Sequence, residues 1–186
     1  MATLNGTDRF SIEMLAVIPA LRAYAMSLTG NVDKADDLVQ ETLVRAIANR
    51  DSFTLGTNMS AWLFTILGNH FRSVWRKRKR EIEDADGHYA ETLTTLPDQH
   101  DQIELKEFRA AIRNLPADQR EALLLVGGSG FSYEEAATIC GCAEGTIKSR
   151  LHRARTRMVE LLSMDSRTDL GQEKVTLSAL TGKPEQ

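Results

Sequence analysis

The chain has 186 residues, of which 42% are hydrophobic and 6% aromatic, and its formal net charge is only −3. This length accommodates one ordinary domain or two small ones, and so weak a charge does not by itself indicate a nucleic-acid binder. Ala, Leu, Arg and Glu dominate the periodic stretches and strand-like runs are few, which favours an all-α fold. The polar N-terminal segment and the lack of an uninterrupted apolar run of about 20 residues predict a cytoplasmic protein without a signal peptide or a membrane partner.

The charges are unevenly distributed along the chain. Basic residues form one block at positions 76–80 and another at 148–157, and an acidic stretch lies between the two blocks. Two basic patches held apart by acidic residues predict two surfaces for a polyanion such as DNA. The alternative is that each block is one solvated face of a helix.

The N-terminal half contains three periodic stretches, and each predicts an amphipathic helix. These helices are predicted over residues 8–28, 33–49 and about 58–80, and Gly30 stands where the first helix should be capped. The side chains predicted to be buried recur at three- and four-residue steps. They are Met14, Val17, Ile18, Leu21, Ala25 and Leu28 in the first helix, Leu38, Val39, Leu43, Ala46 and Ile47 in the second, and Phe64, Leu67, Phe71 and Val74 in the third.

Helical periodicity is lost over residues 81–101, where acids, threonines, a glycine and a proline predict a flexible acidic linker. Helical patterns return at about 102–115 and 117–126, and the apolar run at 123–126 is predicted to be buried. The predicted organisation is a first domain at 8–80, the linker at 81–101, a second domain at 102–163 and a tail at 164–186. Disorder is the default interpretation of the tail, and a partner-docking segment is the alternative.

The sharpest local pattern begins at Ser132. Ser132 and Glu135 form the capping box of a short helix that ends near Cys140, Gly141 can supply a tight turn, and a basic helix follows from 146 to about 162. A helix, a brief turn with glycine and a basic helix describe a helix-turn-helix. The alternative is a basic amphipathic helix within an ordinary bundle.

The basic helix divides into two faces. Its apolar residues are predicted to anchor it; they are Ile147, Leu151, Ala154, Met158 and Leu161. Its polar residues remain outside; they are Lys148, Ser149, His152, Arg153 and Arg155. Side chains of these outer types can contact phosphates or the edges of bases in the major groove.

The third helix carries a different signal. Trp62, Asn69 and Arg72 place an aromatic, an amide and a cationic group near the first basic block, which suits single-stranded or opening DNA. The alternative is that aromatic residues at helical spacing belong to the core.

No pattern in the sequence predicts catalysis. Glu134 and Glu135 belong to the capping box, the four histidines are scattered, and there is no nucleophile with a base or phosphate-binding loop. Cys140 and Cys142 lack a second pair or a histidine cluster, which favours a structural role at a turn over a metal site. We therefore expect no enzyme activity, no cofactor and no metal.

Five short motifs occur in an order typical of one family. They are DDLVQET at 36–42, AWLFTI at 61–66, LPADQRE at 115–121, FSYEEAA at 131–137 and GTIKSR at 145–150. Over about residues 14–162 the chain resembles sigma-70-family factors of the extracytoplasmic-function (ECF) group. EIEDADG at 81–87 and the Gly-Cys pair at 141–142 are similar to the EcfG type, the general-stress-response sigma factors of alphaproteobacteria. Gly68 and His70 depart from the family pattern, in which larger or more basic residues are expected.

The resemblance implies a role for each domain. The first would be sigma region 2, a helical bundle that binds core polymerase and opens the −10 element, and the second would be the region 4 helix-turn-helix that reads the −35 element. The implied core-polymerase residues, which would dock on the clamp of the largest subunit, are Asp37, Gln40, Glu41 and Arg45. The implied −10 residues are Asn58, Trp62, Asn69, Arg72, Ser73 and Arg76, and the implied −35 residues are Lys148, Ser149, His152 and Arg153. The loop at 54–58 would hold a base flipped from the −10 element.

The resemblance also implies the partners. They would be core RNA polymerase, including the flap of its second-largest subunit, promoter DNA and an anti-sigma factor of the NepR type that holds the protein inactive. Exposed apolar patches around Leu38 and Leu115 would be covered by that inhibitor.

Two other functions fit parts of the pattern. A helix-turn-helix regulator with a ligand-sensing or dimerising N-terminal domain would bind duplex DNA without polymerase, but it does not account for the order of the first-domain motifs. A sigma mimic that sequesters an inhibitor would lack the DNA-reading residues and carry a receiver domain, for which 186 residues leave no room.

Overall fold

The computed structural model describes residues 6–83 and 103–165, and every regular element in these two segments is helical. The helices are α1 (Gly6–Thr29), α2 (Val32–Ala48), α3 (Met59–Glu83), α4 (Ile103–Arg113), α5 (Ala117–Leu123), α6 (Tyr133–Cys140) and α7 (Glu144–Asp165). A short 3₁₀ turn, Arg50–Ser52, follows α2. The predicted all-α class is confirmed. Most of the predicted linker and tail, residues 84–101 and 166–186, lies outside the described residues.

Helices α1, α2 and α3 pack into a bundle whose tight connections follow from the sequence. Gly30 ends α1 with a φ of 63°, a left-handed conformation that glycine adopts without steric cost. Asn31 then caps α2, because its side-chain oxygen accepts a hydrogen bond from the backbone N–H of Lys34 at 2.9 Å. Asn58 does the same for α3 by accepting from the N–H of Ala61 at 3.0 Å.

Two residues predicted to be buried in the first domain are exposed instead. Ile47 is 54% exposed, because the buried arc of α2 passes through Ala35, Leu38, Thr42 and Ala46 and leaves Ile47 beyond its edge. Val74 is 38% exposed, because it lies in a stretch of α3, positions 73–76, whose side chains are all exposed. Both predictions were wrong because the regular apolar stripe in the sequence continues where the side chains are no longer buried.

The C-terminal half builds the helix-turn-helix as predicted. Ser132 accepts from the N–H of Glu135 at 3.1 Å, and the Glu135 carboxylate accepts from the N–H of Ser132 at 2.9 Å, which completes the capping box. Gly141 ends α6 with a φ of 63°. One boundary differs: α5 ends at Leu123, and a π-helical turn, Leu124–Gly128, replaces the last predicted turn and leaves Leu124 and Val126 only partly buried.

The two predicted domains share one hydrophobic core. The rings of Phe64 in α3 and Phe131 before α6 lie 4.9 Å apart, in an edge-to-face arrangement. The same continuous cluster includes Leu63 and Leu67 from the first half and Leu125, Ile139 and Ile147 from the second. A smaller cluster, inside the second half, joins Ala111, Leu115 and Leu123 to the buried face of α7. The sequence patterns had not predicted this joint.

Helix α1 is the most membrane-like of the described helices in length and composition. Among the described residues, it alone is long and apolar enough to cross a membrane, over Arg9–Thr29, with a mean hydropathy of 1.3. Its Leu21, Ala25 and Leu28 are buried in the shared core against the neighbouring helices. In this structure the apolar character of α1 therefore serves packing within the bundle.

Candidate nucleic-acid and polymerase interfaces

Helix α7, the basic helix of the helix-turn-helix, has the division of faces that the sequence predicts. Ile147, Leu151, Ala154 and Met158 are buried and anchor the helix on α4, α5 and α6. Lys148, Ser149, His152 and Arg153, the predicted −35 residues, are all exposed and lie together on the opposite side. Two cations, a hydroxyl and an imidazole on one open helical face can reach phosphates and base edges.

Contacts within α7 orient these exposed groups. Lys148 Nζ lies 2.7 Å from Glu144 Oε1 and 5.7 Å from the centre of the Tyr133 ring, and the hydrogen bond to Glu144 raises the pKa of Lys148. Arg153 donates to the Ser149 carbonyl and to Ser149 Oγ, both at 3.2 Å. The two cations are thus held against α6 and α7 by side-chain contacts.

The polymerase-facing residues predicted on α2 also share one open surface. Asp37 and Gln40 are exposed, and Arg45 Nε donates to Glu41 Oε1 at 2.7 Å, which lowers the pKa of Glu41. Val44 is 61% exposed and Ile47 54% exposed, and both lie within a turn or two of Gln40 on the same helix. An apolar patch with a polar rim is typical of a protein-binding surface. The sequence pattern did not indicate that Val44 belongs to this surface, and it placed Ile47 in the core.

The anticipated apolar patches around Leu38 and Leu115 are absent, because both side chains are buried within the chain. Leu38 packs in the shared core, and Leu115 packs in the smaller cluster against α7. The prediction that an inhibitor would cover these two residues is therefore wrong.

The predicted −10 residues on α3 occupy different environments. Trp62 is half-buried, with ring centres 5.1 Å from Phe53 and 6.1 Å from Phe10, so its aromatic ring belongs largely to the core. Ser73 and Arg76 are exposed, further along the helix. Asn58 precedes the helix, and its side-chain nitrogen donates to Glu135 Oε1 of α6 at 2.8 Å.

Arg72 lies at the joint between the two halves. Its Nη1 is ion-paired with the carboxylate of Glu121 in α5, and its Nη2 donates to Asn69 Oδ1 and to the Ile139 carbonyl of α6, both at 2.8 Å. The side chain that the sequence assigned to DNA is thus bonded to two elements of the second half. We call this ion pair and its neighbours, Arg72, Glu121, Asn69, Tyr24 and the Ile139 carbonyl, the interdomain clasp.

Burial dominates the electrostatics of the clasp. Glu121 is only 4% exposed, and this burial raises the pKa of its carboxyl, although Arg72 acts in the opposite direction. The Tyr24 hydroxyl donates to Glu121 Oε1 at 3.4 Å, and burial raises the pKa of Tyr24 well above its ordinary value. Burial raises the pKa of the Cys140 thiol to about 12, and the negative charge of the nearby Glu121 is the second cause.

The sequence pattern did not indicate the clasp, although Gly68 departs from the family pattern. A Cβ on Gly68 would lie 3.0 Å from Arg72 Nη1 and 3.2 Å from Glu121 Oε1. A glycine inside a helix costs about 0.5–1 kcal/mol relative to alanine, so its presence there calls for a reason in packing. The reason in this structure is the space that the ion pair occupies above the helix.

Cys140 and Cys142 are free thiols, half-buried at the turn between α6 and α7. Over the described segments, 6–83 and 103–165, no group of three or more His, Cys, Asp or Glu side chains is arranged to hold a metal ion.

Comparisons with known proteins place the chain in a family. The model of sigma-70 region 2 matches residues 14–81, and the model of sigma-70 region 4 matches residues 105–158. The chain is 59% identical, over 176 residues, to the ECF RNA polymerase sigma factor EcfG of Rhodopseudomonas palustris (strain TIE-1), which covers 95% of this chain and 97% of that protein. The chain is an ECF sigma factor.

Other ECF sigma factors are more distant relatives of this sigma factor. SigC of Mycobacterium tuberculosis (strain CDC 1551 / Oshkosh) is 38% identical over 135 residues, which cover 69% of this chain and 70% of that protein. The family membership accounts for the order of the first-domain motifs, which a ligand-sensing helix-turn-helix regulator did not explain.

Solved structures resemble the sigma factor across both of its halves. The sigma factor RpoE of Bartonella quintana, in complex with the anti-sigma factor NepR, is 56% identical and aligns with a TM-score of 0.74 over 84% of this chain and 98% of that chain. CnrH, in complex with the cytosolic domain of CnrY, is 27% identical with a TM-score of 0.64, over 84% of this chain and 89% of its own. Each alignment covers 84% of the chain, which is more than either half contains. The likeness therefore includes how the two halves are arranged.

Proposed function

We propose that this sigma factor binds core RNA polymerase and directs promoter-specific initiation at genes of the general stress response. It reads the −35 element with α7 and the −10 element with α3, and it carries out no covalent chemistry of its own. The observation that carries the proposal is the exposed set of Lys148, Ser149, His152 and Arg153 on a helix whose opposite face is buried, in a chain that matches both sigma-70 regions. A transcription factor of this kind acts in the cytoplasm.

At the −35 element, α7 enters the major groove, which is wide enough for one α-helix. Lys148 and Arg153 can neutralise phosphates or donate to guanine, and Ser149 and His152 can bond to phosphates or bases. The buried anchors Ile147 and Leu151 fix the depth and the rotation of the helix relative to the rest of the second domain.

At the −10 element, the loop at 54–58 captures an unpaired base. The loop is exposed throughout, Gly56 has a φ of 92°, and Thr57 Oγ1 donates to the Thr54 carbonyl at 2.7 Å, so a defined turn faces solvent. Extruding a base from the duplex costs a few kcal/mol, and a pocket that offsets this cost nucleates melting. Asn58, Asn69, Arg72, Ser73 and Arg76 then follow the exposed strand along α3, and the half-buried Trp62 offers the edge of its ring.

Core polymerase binds the open face of α2. Asp37, Gln40, Glu41 and Arg45 supply the polar contacts to the clamp of the largest subunit, and Val44 with Ile47 supplies apolar area at their centre. The second domain binds the flap of the second-largest subunit. Because the α2 face is exposed in this structure, docking on the clamp needs no prior rearrangement.

An anti-sigma factor of the NepR type holds the protein inactive in unstressed cells. The support is that a relative 56% identical to this chain is known in complex with NepR and covers 84% of this chain. The exposed apolar residues Val44 and Ile47 are the ones that such an inhibitor would compete for with the polymerase.

Run-off transcription with purified core polymerase tests the proposal. Wild type is compared with Lys148→Ala/Arg153→Ala, with Gln40→Ala/Glu41→Ala, and with Arg9→Ala as a control for loss of an exposed cation. We expect each double variant to reduce transcripts by at least about tenfold, because each lost base or interface contact contributes about 1–3 kcal/mol, and the control to match wild type. Binding of promoter duplex by the protein alone, with no transcripts from core polymerase under any condition, would contradict the proposal.

A further inference from the structure

We propose that the free sigma factor holds itself closed: Glu121 and Glu135 of its second domain occupy Arg72 and Asn58, which would otherwise read the −10 element. The second domain thus acts as an intramolecular competitor of promoter DNA. This inference rests on the proposed function for the role of the occupied residues, whereas the closed arrangement itself is independent of that role.

The first argument is that both terminal nitrogens of Arg72 are engaged within the chain. Its Nη1 is committed to the Glu121 carboxylate, and its Nη2 to Asn69 and the Ile139 carbonyl. A phosphate placed on Arg72 would have to displace a buried carboxylate of the same charge. Glu121 and phosphate therefore compete for the same guanidinium, and reading by Arg72 requires α5 to leave α3.

The second argument is that other predicted −10 groups are engaged from the same side. The side-chain nitrogen of Asn58 donates to Glu135 at 2.8 Å, although Asn58 lies at the opposite end of the packed part of α3 from Arg72. The two carboxylates thus bracket the promoter-reading surface from Asn58 to Arg72. In the described part of the chain, no contact of this kind engages Lys148, Ser149, His152 or Arg153, whose hydrogen-bond, ion-pair and ring partners lie within α6 and α7.

The third argument is that the joint is built as a core and not as a loose contact. Phe64 packs on Phe131 and on Tyr24, at 4.9 Å between ring centres in both cases. Arg120 Nη1 donates to the Leu28 carbonyl at the end of α1, at 3.2 Å. Gly68 leaves room above α3 for the ion pair, which a side chain at that position would disturb. All these groups belong to one chain, so closure needs no inhibitor, although the inhibitor-bound relative has a similar arrangement.

Opening can be measured on the full-length chain without DNA or polymerase, through Cys140. This thiol lies beside the clasp, where burial suppresses its thiolate, so separation of the halves should accelerate its alkylation. A Cys142→Ser background leaves Cys140 as the only thiol in the chain. In that background we compare Glu121→Gln and Gly68→Ala with two matched controls, Glu13→Gln, which removes a half-buried carboxylate away from the joint, and Gly145→Ala, where a Cβ meets open space.

We expect Glu121→Gln to raise the rate of alkylation by iodoacetamide about tenfold, because it leaves the Arg72 charge without its buried partner in the closed state only. The loss of the Glu121 charge also lowers the pKa of Cys140 directly, so rates are compared per thiolate, from their pH dependence, and Gly68→Ala, which changes no charge, must show the same direction. Gly68→Ala should raise the rate severalfold, and both controls should react like wild type. In a second arm, both variants should bind a single-stranded non-template −10 oligonucleotide more tightly than wild type, measured by fluorescence anisotropy, while binding of −35 duplex stays unchanged.

Wild-type alkylation rates in both variants, with intact helical circular dichroism, would overturn the closed state. If Glu121→Gln loses its helical signal, Gly68→Ala decides the question. A loss of helicity in both variants would also overturn the proposal, because the clasp would then be required for folding and could not open. Faster alkylation without any gain in oligonucleotide binding would reject the competition with DNA. Failure of wild type in run-off transcription would instead count against the proposed function and leave the alkylation result standing.

Discussion

The two predicted DNA-reading surfaces of this sigma factor are in opposite states. On α7, Lys148 and Arg153 are exposed, and the groups that they bond to in the described residues belong to the same helix-turn-helix, whereas on α3, Arg72 is bonded across the joint to Glu121 and the Ile139 carbonyl. Both surfaces are helical faces with cations at helical spacing, so the difference does not come from the helices themselves. The difference comes from which other elements pack on each surface. A surface that is predicted from its own stretch of sequence can therefore be occupied by another part of the chain.

The contrast implies an order of events in initiation. In the proposed assignment, the −35 face and the α2 polymerase face are accessible, whereas Arg72 and Asn58 of the −10 face are bonded to the second half of the chain. Polymerase and −35 DNA can therefore engage first, and the free energy of those contacts can separate the two halves. A gate of this kind would delay melting until the sigma factor is on polymerase.

The largest expected effect is on the joint beneath the α3 surface. Replacing Phe64 by alanine removes the ring that contacts both Tyr24 and Phe131, and we expect the free energy of unfolding to fall by about 3–5 kcal/mol. Urea unfolding followed by circular dichroism measures this loss. The control is Val44→Ala on the exposed face of α2, where a change below about 0.5 kcal/mol is expected. Equal losses in the two variants would remove the distinction between a packed α3 and an open α2.

A smaller effect should be seen on the open α7 surface. Arg153→Ala should weaken binding of −35 duplex to the free protein by about 1–3 kcal/mol, and should reduce the slope of log affinity against log salt by about 1 if the guanidinium contacts a phosphate. Titration at several salt concentrations separates the two contributions. Arg9→Ala, on α1, should leave both quantities unchanged. No loss with Arg153→Ala would show that the −35 face lies elsewhere.

The smallest effect concerns pH and the buried carboxylate of the clasp. Burial raises the pKa of Glu121 above its ordinary 4.5, while Tyr24, Arg72, Cys140 and Arg150 face it from α1, α3, α6 and α7. Between the ordinary and the raised pKa, the folded chain binds more protons than the unfolded chain. The free energy of unfolding contributed by Glu121 is therefore highest below the ordinary pKa and falls as the pH rises through the raised pKa.

Urea unfolding of wild type and Glu121→Gln across this pH range checks the sign. The variant lacks the titrating group, so its free energy of unfolding should decline less steeply with pH than that of wild type. Carboxyls with lowered pKa values, such as Glu41 and Glu135, contribute the opposite slope in both proteins and cancel in the comparison. Parallel curves would show that Glu121 does not titrate in this window.

The sequence by itself determined the local structure of this protein. Periodic stripes and one capping box predicted the seven helices of residues 6–83 and 103–165, close to their observed bounds. The structure also has the predicted cap at Ser132 and Glu135 and the predicted turns at Gly30 and Gly141. These features follow from contacts between residues a few positions apart, for which helical periodicity and capping chemistry are sufficient. The division of α7 into an anchored and an exposed face was predictable for the same reason.

Only the tertiary structure decided which faces stay open. Arg72 meets Glu121 across 49 positions and the Ile139 carbonyl across 67, and Asn58 meets Glu135 across 77. No periodic pattern encodes partners at such separations, and the stripes that placed Ile47 and Val74 in the core could not show where the packing surface ends. Gly68 was visible in the sequence as an unexpected residue, but its reason became clear only when α5 supplied the carboxylate above it.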